Sequence, residues 1–287
     1  MEPSIYRMGA VAVFPGVRPA ATCNQAHPVH LRNAMRTLII LGMGSLCFGW
    51  AIAAGELPPP EATEQWTPLP PVIAAPAGGV PSDAVVLFDG TNLDAWEPVR
   101  SGEPGWKIED GAMVIAPNPK PCDQRTKAVF SDLQLHLEFR TPAKVEGAGQ
   151  DRGNSGVFFM GLYELQILDS WQNPTYVNGQ AAAIYKQHPP LVDANRRPGE
   201  WQTYDVVFIA PRFAPDGRLL TPARMTAFHN GVLVQYDAVL RGPTVFRGKP
   251  HYAPHAARLP LVLQDHRNPV AFRNIWVREL PLPGTTP

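Results

Sequence analysis

The sequence predicts an all-β domain, a jelly-roll sandwich of two antiparallel sheets. The 287 residues include 33 prolines and 24 glycines, which leaves little room for long helices. About nine short apolar or alternating runs follow one another after residue 84, each bounded by turn residues. Because no helical pattern separates these runs, two antiparallel sheets packed face to face are favoured over parallel crossovers.

The clearest strand is "LQLHLEFR", residues 133–140, in which leucines and a phenylalanine alternate with polar residues. One face of this strand is predicted to be core and the other solvated. Asp-Gly at 89–90 and 110–111 and Asn-Gly at 230–231 predict tight hairpin turns.

The first 83 residues differ from the rest. An apolar run over residues 38–53 follows Arg36 and ends in Ala51-Ile52-Ala53, a pattern typical of a cleavable export signal. A membrane anchor is the alternative, but the run is shorter than the roughly 20 residues that a spanning helix needs. Residues 1–53 are therefore interpreted as an N-terminal extension and signal peptide, 54–83 as a Pro-rich linker and 84–282 as the folded domain. We expect a periplasmic or secreted protein without stable membrane insertion after cleavage.

The net charge bears on the class of binding partner, and the cysteine content bears on disulfide bonds. The formal net charge is zero, so nucleic acid is not an expected partner. Cys23 and Cys47 lie in the segment predicted to be removed, which leaves Cys122 as an unpaired thiol.

The stretch "GLYELQILDS", residues 161–170, places polar groups in an apolar strand. Strand alternation puts Glu164 and Gln166 on one face and Asp169 on the other, and a bulge after Gln166 would bring all three together. A buried Glu164 would need a cation, such as Arg140 or Arg273, or a solvent-filled cleft. Asp169 is equally explained as a turn residue.

A second polar cluster is "LQDHRNPVAFRN", residues 263–274. Alternation places Gln264 and His266 on one side and Asp265 on the other. An imidazole at a strand end suits proton transfer, although a histidine bonded to the turn backbone is the alternative.

Three further residues are candidates for binding. Asn154 follows a glycine turn, where it either shapes the turn or contacts substrate. Tyr185 and Lys186 are neighbours, typical both of a sugar platform and of an ordinary surface patch. No phosphate loop or dinucleotide fingerprint is present, so no cofactor is predicted. A divalent cation held by Glu164, Asp169 and His266 is the alternative.

Nine segments occur in an order and spacing similar to the 3-keto-disaccharide hydrolase domain, a family of exported bacterial proteins, and together they cover residues 85–280. The resemblance implies a concanavalin-like jelly roll and an enzyme that cleaves sugars oxidised at C3. The segments are "VVLFDGTNLDAWEP", "WKIEDGAMVI", "LHLEFRT", "GNSGVFF", "YELQILDS", "AAIYKQHPP", "GEWQTYDVVF", "HNGVLV" and "LVLQDHRNPVAFRNIWVREL".

The first polar stretch also resembles the Glu-x-Asp-x-x-Glu pattern of laminarinase-type β-glucanases, in which the outer acids are nucleophile and acid/base. Glu164, Gln166 and Asp169 occupy the three positions here. Gln166 cannot ionise, and Asp169 is one methylene shorter than the glutamate of the pattern. Both departures argue against two-carboxylate hydrolysis, which requires carboxyl groups about 5 to 5.5 Å apart for retention.

A ketone at C3 acidifies the C2 proton, so the chemistry that the family resemblance implies is proton abstraction, elimination of the glycosidic oxygen and hydration. Glu164 or His266 is expected to transfer protons, and Gln166, Asn154 and Arg273 to bind substrate or stabilise the enolate. A non-catalytic carbohydrate-binding module and a conventional β-glucanase are the alternatives.

Overall fold

The structure is a computed structural model that describes residues 57–100, 106–116 and 120–281. The chain divides into two compact units after Thr67. The described part of the first unit, residues 57–67, holds one 3-10 turn at Pro60–Thr63. The predicted signal peptide, residues 1–53, lies outside the described residues. No helix in the described part of the chain is long and apolar enough to span a membrane.

The second unit is built from short strands. Its described residues contain no α-helix, only 3-10 turns at Gly149–Asp151 and Val177–Gly179. The strands are β1 (Val85–Phe88), β2 (Trp96–Pro98), β3 (Trp106–Glu109), β4 (Ala112–Ile115), β5 (Gln124–Thr126), β6 (Leu133–Arg140), β7 (Ser155–Phe159), β8 (Tyr163–Ile167), β9 (Gln202–Ile209), β10 (Arg212–Phe213), β11 (Leu219–Thr221), β12 (Arg224–His229), β13 (Val232–Val239), β14 (Val262–Leu263) and β15 (Ala271–Glu279).

The strands form two principal antiparallel sheets. The large sheet has the order β13-β12-β9-β6-β15-β4-β3, with β1 also paired to β15, and the small sheet has the order β2-β5-β14-β7-β8. A two-stranded ribbon, β10–β11, is separate. The sheets pack as a sandwich, which confirms the predicted jelly-roll fold.

The core lies between the two sheets. In β6 the leucines and Phe139 are at most 1 % exposed, and the residues between them are half-buried, as the alternation predicted. Tyr163 from β8 in the small sheet packs beside Phe208 from β9 in the large sheet, with ring centroids 5.7 Å apart. Burial of each such side chain contributes roughly 1.5–3 kcal/mol to folding.

Two of the three predicted hairpin turns are confirmed. Asp110-Gly111 joins β3 to β4 and Asn230-Gly231 joins β12 to β13, and all four residues have positive φ. The third prediction, at 89–90, is wrong. After β1 the chain leaves the large sheet for β2 in the small sheet, so these residues form a crossing between sheets.

Candidate active site

The outer face of the small sheet carries the polar residues that the sequence singled out. Register aligns Val262 with Phe158, and Phe158 with Glu164, in one row across the strands. The next row holds Gly156 and Gln166. Residues directly opposite one another share a face. The two rows are also two residues apart along each strand, so both rows point to the same side of the sheet. The residues between them point into the core and are buried: Val157, Leu165 and Leu263.

A cleft of about 720 Å³ lies over this face. Loops on both sides of the strands complete its walls. Its lining residues are Gln150, Asp151, Asn154, Phe158, Glu164, Gln166, Tyr176, Tyr185, Lys186, Thr244, Phe246, Gln264 and His266. Seven of the nine predicted site residues therefore meet in one place.

Glu164 is the most strongly perturbed acid of the cleft. It is 4 % exposed, and neither Arg140 nor Arg273 pairs with it. Its backbone N–H donates to Thr244 Oγ1 at 3.0 Å. Burial, assisted by the charge of Asp123, raises the pKa of Glu164 to about 8. At neutral pH this side chain is therefore mainly a protonated acid.

Gln166 is the immediate partner of Glu164. Its side chain is 1 % exposed, and one end of the amide lies 3.0 Å from Glu164 Oε1. A protonated Glu164 can donate to the amide oxygen there, whereas an ionised Glu164 requires the amide NH₂. The NH₂ otherwise donates to Gln150 Oε1 at 3.0 Å. One amide can thus serve both protonation states of the acid.

Asn154 lines the cleft and has one buried acceptor without a hydrogen-bond partner. Its Nδ2 donates to the Gln150 carbonyl at 2.6 Å, and its backbone N–H donates to Asn268 Oδ1 at 2.6 Å. Its own Oδ1 is buried and has no hydrogen-bond partner. Since an unpaired buried acceptor is costly, a ligand hydroxyl is a natural partner for it.

An aromatic edge borders the cleft. The hydroxyls of Tyr176 and Tyr185 are 2.6 Å apart, and burial raises the pKa of Tyr185. Lys186 Nζ lies 4.1 Å from the centre of the Phe246 ring and donates to the Phe246 carbonyl at 2.7 Å. This edge offers both ring faces and polar tips to a ligand.

His266 lies in the loop after β14, with Gln264 between it and the strand. The predicted alternation is confirmed, because Gln264 and His266 line the cleft while Asp265 is buried and accepts bonds from the backbone N–H groups of Cys122 and Arg267. The His266 imidazole is exposed, and it has no hydrogen bond to any described residue. The alternative of an imidazole bonded to the turn backbone is therefore not what the structure has.

The predicted bulge after Gln166 is wrong. Strands β7 and β8 pair without a register shift from Ser155 opposite Ile167 to Phe159 opposite Tyr163. Asp169 lies beyond the strand end and outside the cleft.

Asp169 instead has the turn role that was the alternative. Its Oδ2 accepts from Arg152 Nε at 2.6 Å, and its Oδ1 accepts from the Trp171 backbone N–H at 3.2 Å. The side chain is 3 % exposed. Its position corrects the prediction that Asp169 belongs to a catalytic set with Glu164.

Arg273 is also misplaced by the sequence prediction. It lies on β15 of the large sheet, where its Nε donates to Glu138 Oε2 at 2.7 Å and its guanidinium stacks on Trp201 at 4.1 Å. The sandwich separates it from the cleft, so it cannot contact the same ligand.

The three residues proposed to hold a divalent cation do not all meet in the cleft. Glu164 and His266 line the cleft but Asp169 does not. Within the described ranges, no three His, Cys, Asp or Glu side chains are grouped so that they could hold a metal ion.

Several cleft residues were not predicted. Phe158 shares the alternation of "SGVFF" and could have been found by it. Two of them, Gln150 and Asp151, come from a 3-10 turn, and three come from loops: Tyr176, Thr244 and Phe246. Loop sequence carries no period, so nothing in the local pattern indicates where these side chains go.

Comparison with known proteins identifies the family. A model of the 3-keto-alpha-glucoside-1,2-lyase-like domain matches residues 83–278. The chain belongs to this family. The resemblance to 3-keto-disaccharide hydrolases that the nine segments predicted is thereby confirmed.

Solved structures agree with the family. A proposed glycosyl hydrolase from Parabacteroides distasonis ATCC 8503 is 44 % identical, covers 77 % of this chain and 97 % of its own, and has a TM-score of 0.72. A second proposed glycosyl hydrolase from that organism is 19 % identical over 69 % of this chain and 94 % of its own, with a TM-score of 0.51, and supports the fold alone. No curated protein matches the chain significantly.

Proposed function

We propose that this protein is a glycoside-cleaving enzyme that acts on 3-keto-glycosides by removing the C2 proton and eliminating the group at C1. The observation that carries the proposal is the pairing, in one cleft, of a buried Glu164 held in its acid form with an accessible His266. Membership of the lyase-like family and the 44 % identity to a proposed glycosyl hydrolase support the general class of reaction.

The roles follow from protonation. His266 is the base, which takes the C2 proton while the electron pair moves into the enolate at C3. When the C3 carbonyl re-forms, the C1–O bond breaks and a C1=C2 double bond is left. Glu164 gives its proton to the departing oxygen. A raised pKa suits this role because the acid must be protonated at neutral pH.

The return of water completes a hydrolysis. The Glu164 carboxylate removes a proton from water as its oxygen adds to C1, and the protonated His266 returns a proton to C2. Both groups end as they began. If water does not add at C1, the same site acts as a lyase and releases the unsaturated sugar.

Amide groups in the cleft supply binding. Gln166 and Gln264 lie on the sheet floor, and Asn154 offers its unpaired oxygen to a sugar hydroxyl. The amide NH₂ groups of Gln166 and Gln264 can donate hydrogen bonds to an enolate oxygen without taking the proton that is transferred. Tyr185 and Lys186 supply the edge against which a ring lies.

The two rivals fit less well. The glucanase pattern would use Asp169 as the second carboxyl group, and Asp169 lies outside the cleft, paired with Arg152. A binding module has no use for a buried acid with a strongly raised pKa.

Matched disaccharides with and without a C3 ketone test the proposal. We expect cleavage of the oxidised sugar only, a slower reaction when C2 carries deuterium, and an unsaturated product absorbing in the ultraviolet if the enzyme stops as a lyase. Cleavage of the unoxidised sugar would indicate a glucanase, and binding without turnover of either sugar would indicate a module.

A further inference from the structure

We propose that Asp123 is a positioning residue of this site, whose carboxylate keeps Glu164 in the acid form. The inference rests on the proposed function for its catalytic meaning. It assigns a role to an acidic group beside the cleft that no motif in the sequence indicated.

Strand pairing places Asp123 on the sheet face that carries the cleft. Gln124 at the start of β5 is opposite Leu263 in β14, so the same antiparallel register puts Asp123 opposite Gln264. Opposed residues share a face, and Gln264 lines the cleft. Asp123 therefore lies on the cleft side of the small sheet, next to the strand end that leads to His266.

A hydrogen bond fixes the carboxylate in this position. Asp123 Oδ1 accepts from the backbone N–H of Asp265 at 2.8 Å, the residue directly before His266. The other oxygen has no hydrogen bond or ion pair with any described residue. Arg125, two residues further along the same strand face, is paired with Glu97 at 2.7 Å.

The surrounding charges give Asp123 its effect. Burial raises its pKa, as does the neighbouring Asp265, while the Asp265 N–H bond and the charges of Arg100 and His266 lower it. The charge of Asp123 also acts on the carboxyl group of Glu164 and raises its pKa. When two carboxyl groups share a site, the less buried one ionises first and the other keeps its proton. Asp123 is half-buried and Glu164 is 4 % exposed, so Asp123 carries the charge.

The consequence concerns the protonation state of Glu164. A negative Asp123 disfavours a second negative charge on Glu164. The protonated carboxyl group is the form that a general acid requires. Asp123 itself needs no contact with the sugar.

The test is a titration that requires no substrate. The Glu164 side-chain carboxyl is followed by carbon-13 NMR, with its signal assigned from its loss in Glu164→Gln. In Asp123→Asn, which keeps an acceptor for the Asp265 N–H, we expect the Glu164 midpoint to fall by about one pH unit. Glu138→Gln, which removes one acid from the large sheet on the other side of the sandwich, is the control and should leave the midpoint unchanged.

Kinetics then separate this inference from the proposed function. With a 3-keto disaccharide, the basic limb of the kcat profile should move to lower pH by the same amount in Asp123→Asn, with little change in KM. A shifted midpoint in a protein that cleaves no glycoside would retain the electrostatic role and reject the function. An unchanged midpoint in Asp123→Asn overturns the inference whatever the activity. If this variant does not fold, Asp123→Ser removes the same charge and is read the same way.

Discussion

The carboxyl group of Glu164 occupies the space above Gly156, where a side chain would otherwise stand. A methyl group added to Gly156 would lie 2.6 Å from Glu164 Oε1 and 3.1 Å from the Phe158 ring. The acid on β8 can therefore lie flat across β7 only because β7 has a glycine at that position.

This contact predicts the effect of Gly156→Ala. The new methyl group should displace the flexible end of Glu164 and lower kcat by about a hundredfold, the scale for losing a general acid. The melting temperature should fall little, because a side-chain end moves and not the backbone. In a Glu164→Gln background, Gly156→Ala should lower kcat almost no further. Equal losses in both backgrounds would show that Gly156 acts through the fold.

Glu164 should make stability depend on pH. Its folded pKa of about 8 lies above the value of 4.5 for an exposed glutamate, so between these values the folded state holds a proton that the unfolded state has released. Stability is then lost as pH rises, by up to about 1.4 kcal/mol for each pH unit. We expect the melting temperature of Glu164→Gln to exceed that of the wild type by a margin that widens from pH 5 to pH 8. A constant margin would contradict the burial of an unpaired acid.

The Arg152–Asp169 pair should matter for folding and not for chemistry. Asp169→Asn leaves a largely buried guanidinium without its counter-charge and should destabilise the protein by about 3 kcal/mol. Denaturant unfolding measures this loss. Below the unfolding transition, kcat should stay within about twofold of the wild-type value. A loss of kcat comparable to that of Glu164→Gln would restore Asp169 to the catalytic set.

Asn154→Ala should weaken substrate binding. The variant removes the acceptor left unpaired in the cleft, and KM is expected to rise by up to about tenfold, the cost of one lost hydrogen bond. Arg273→Ala, on the opposite sheet, is the matched control and should leave KM unchanged. Equal effects of both substitutions would point to a general loss of structure.

Export remains a prediction from the sequence. The apolar run over residues 38–53 and the small residues at its end predict a mature protein that begins near Ala54. N-terminal sequencing of protein from the periplasm or medium checks this. Recovery of an intact N-terminus from the cytoplasm alone would contradict it.

Much of the fold could be predicted because strand alternation is a local property. "LQLHLEFR" became β6 with the predicted faces, and Glu164 and Gln166 fell on one side for the same reason. The prediction about Asp169 failed where it needed a bulge, since a regular pairing of β7 with β8 satisfies more backbone hydrogen bonds than a bulged one.

The sequence also did not predict which distant residues come together in the fold. Arg273 and His266 are seven residues apart in the sequence, yet the turn at Asn268-Pro269 sends the chain from the small sheet to the large sheet between them. Asp123 and Gln264 are far apart in sequence and become neighbours only through the pairing of β5 with β14. Neither relationship has a signal within a short window of residues.

The separation of the two faces of the small sheet has an evolutionary consequence. Phe158, which lies on the outer side and lines the cleft, is half-buried and contributes little to the core, so we expect mutations there to alter ligand preference at small cost in stability. Gly156 is the exception, since it cannot gain a side chain while Glu164 lies above it. We expect related enzymes with new specificities to diverge around this pair and to retain both of its members together.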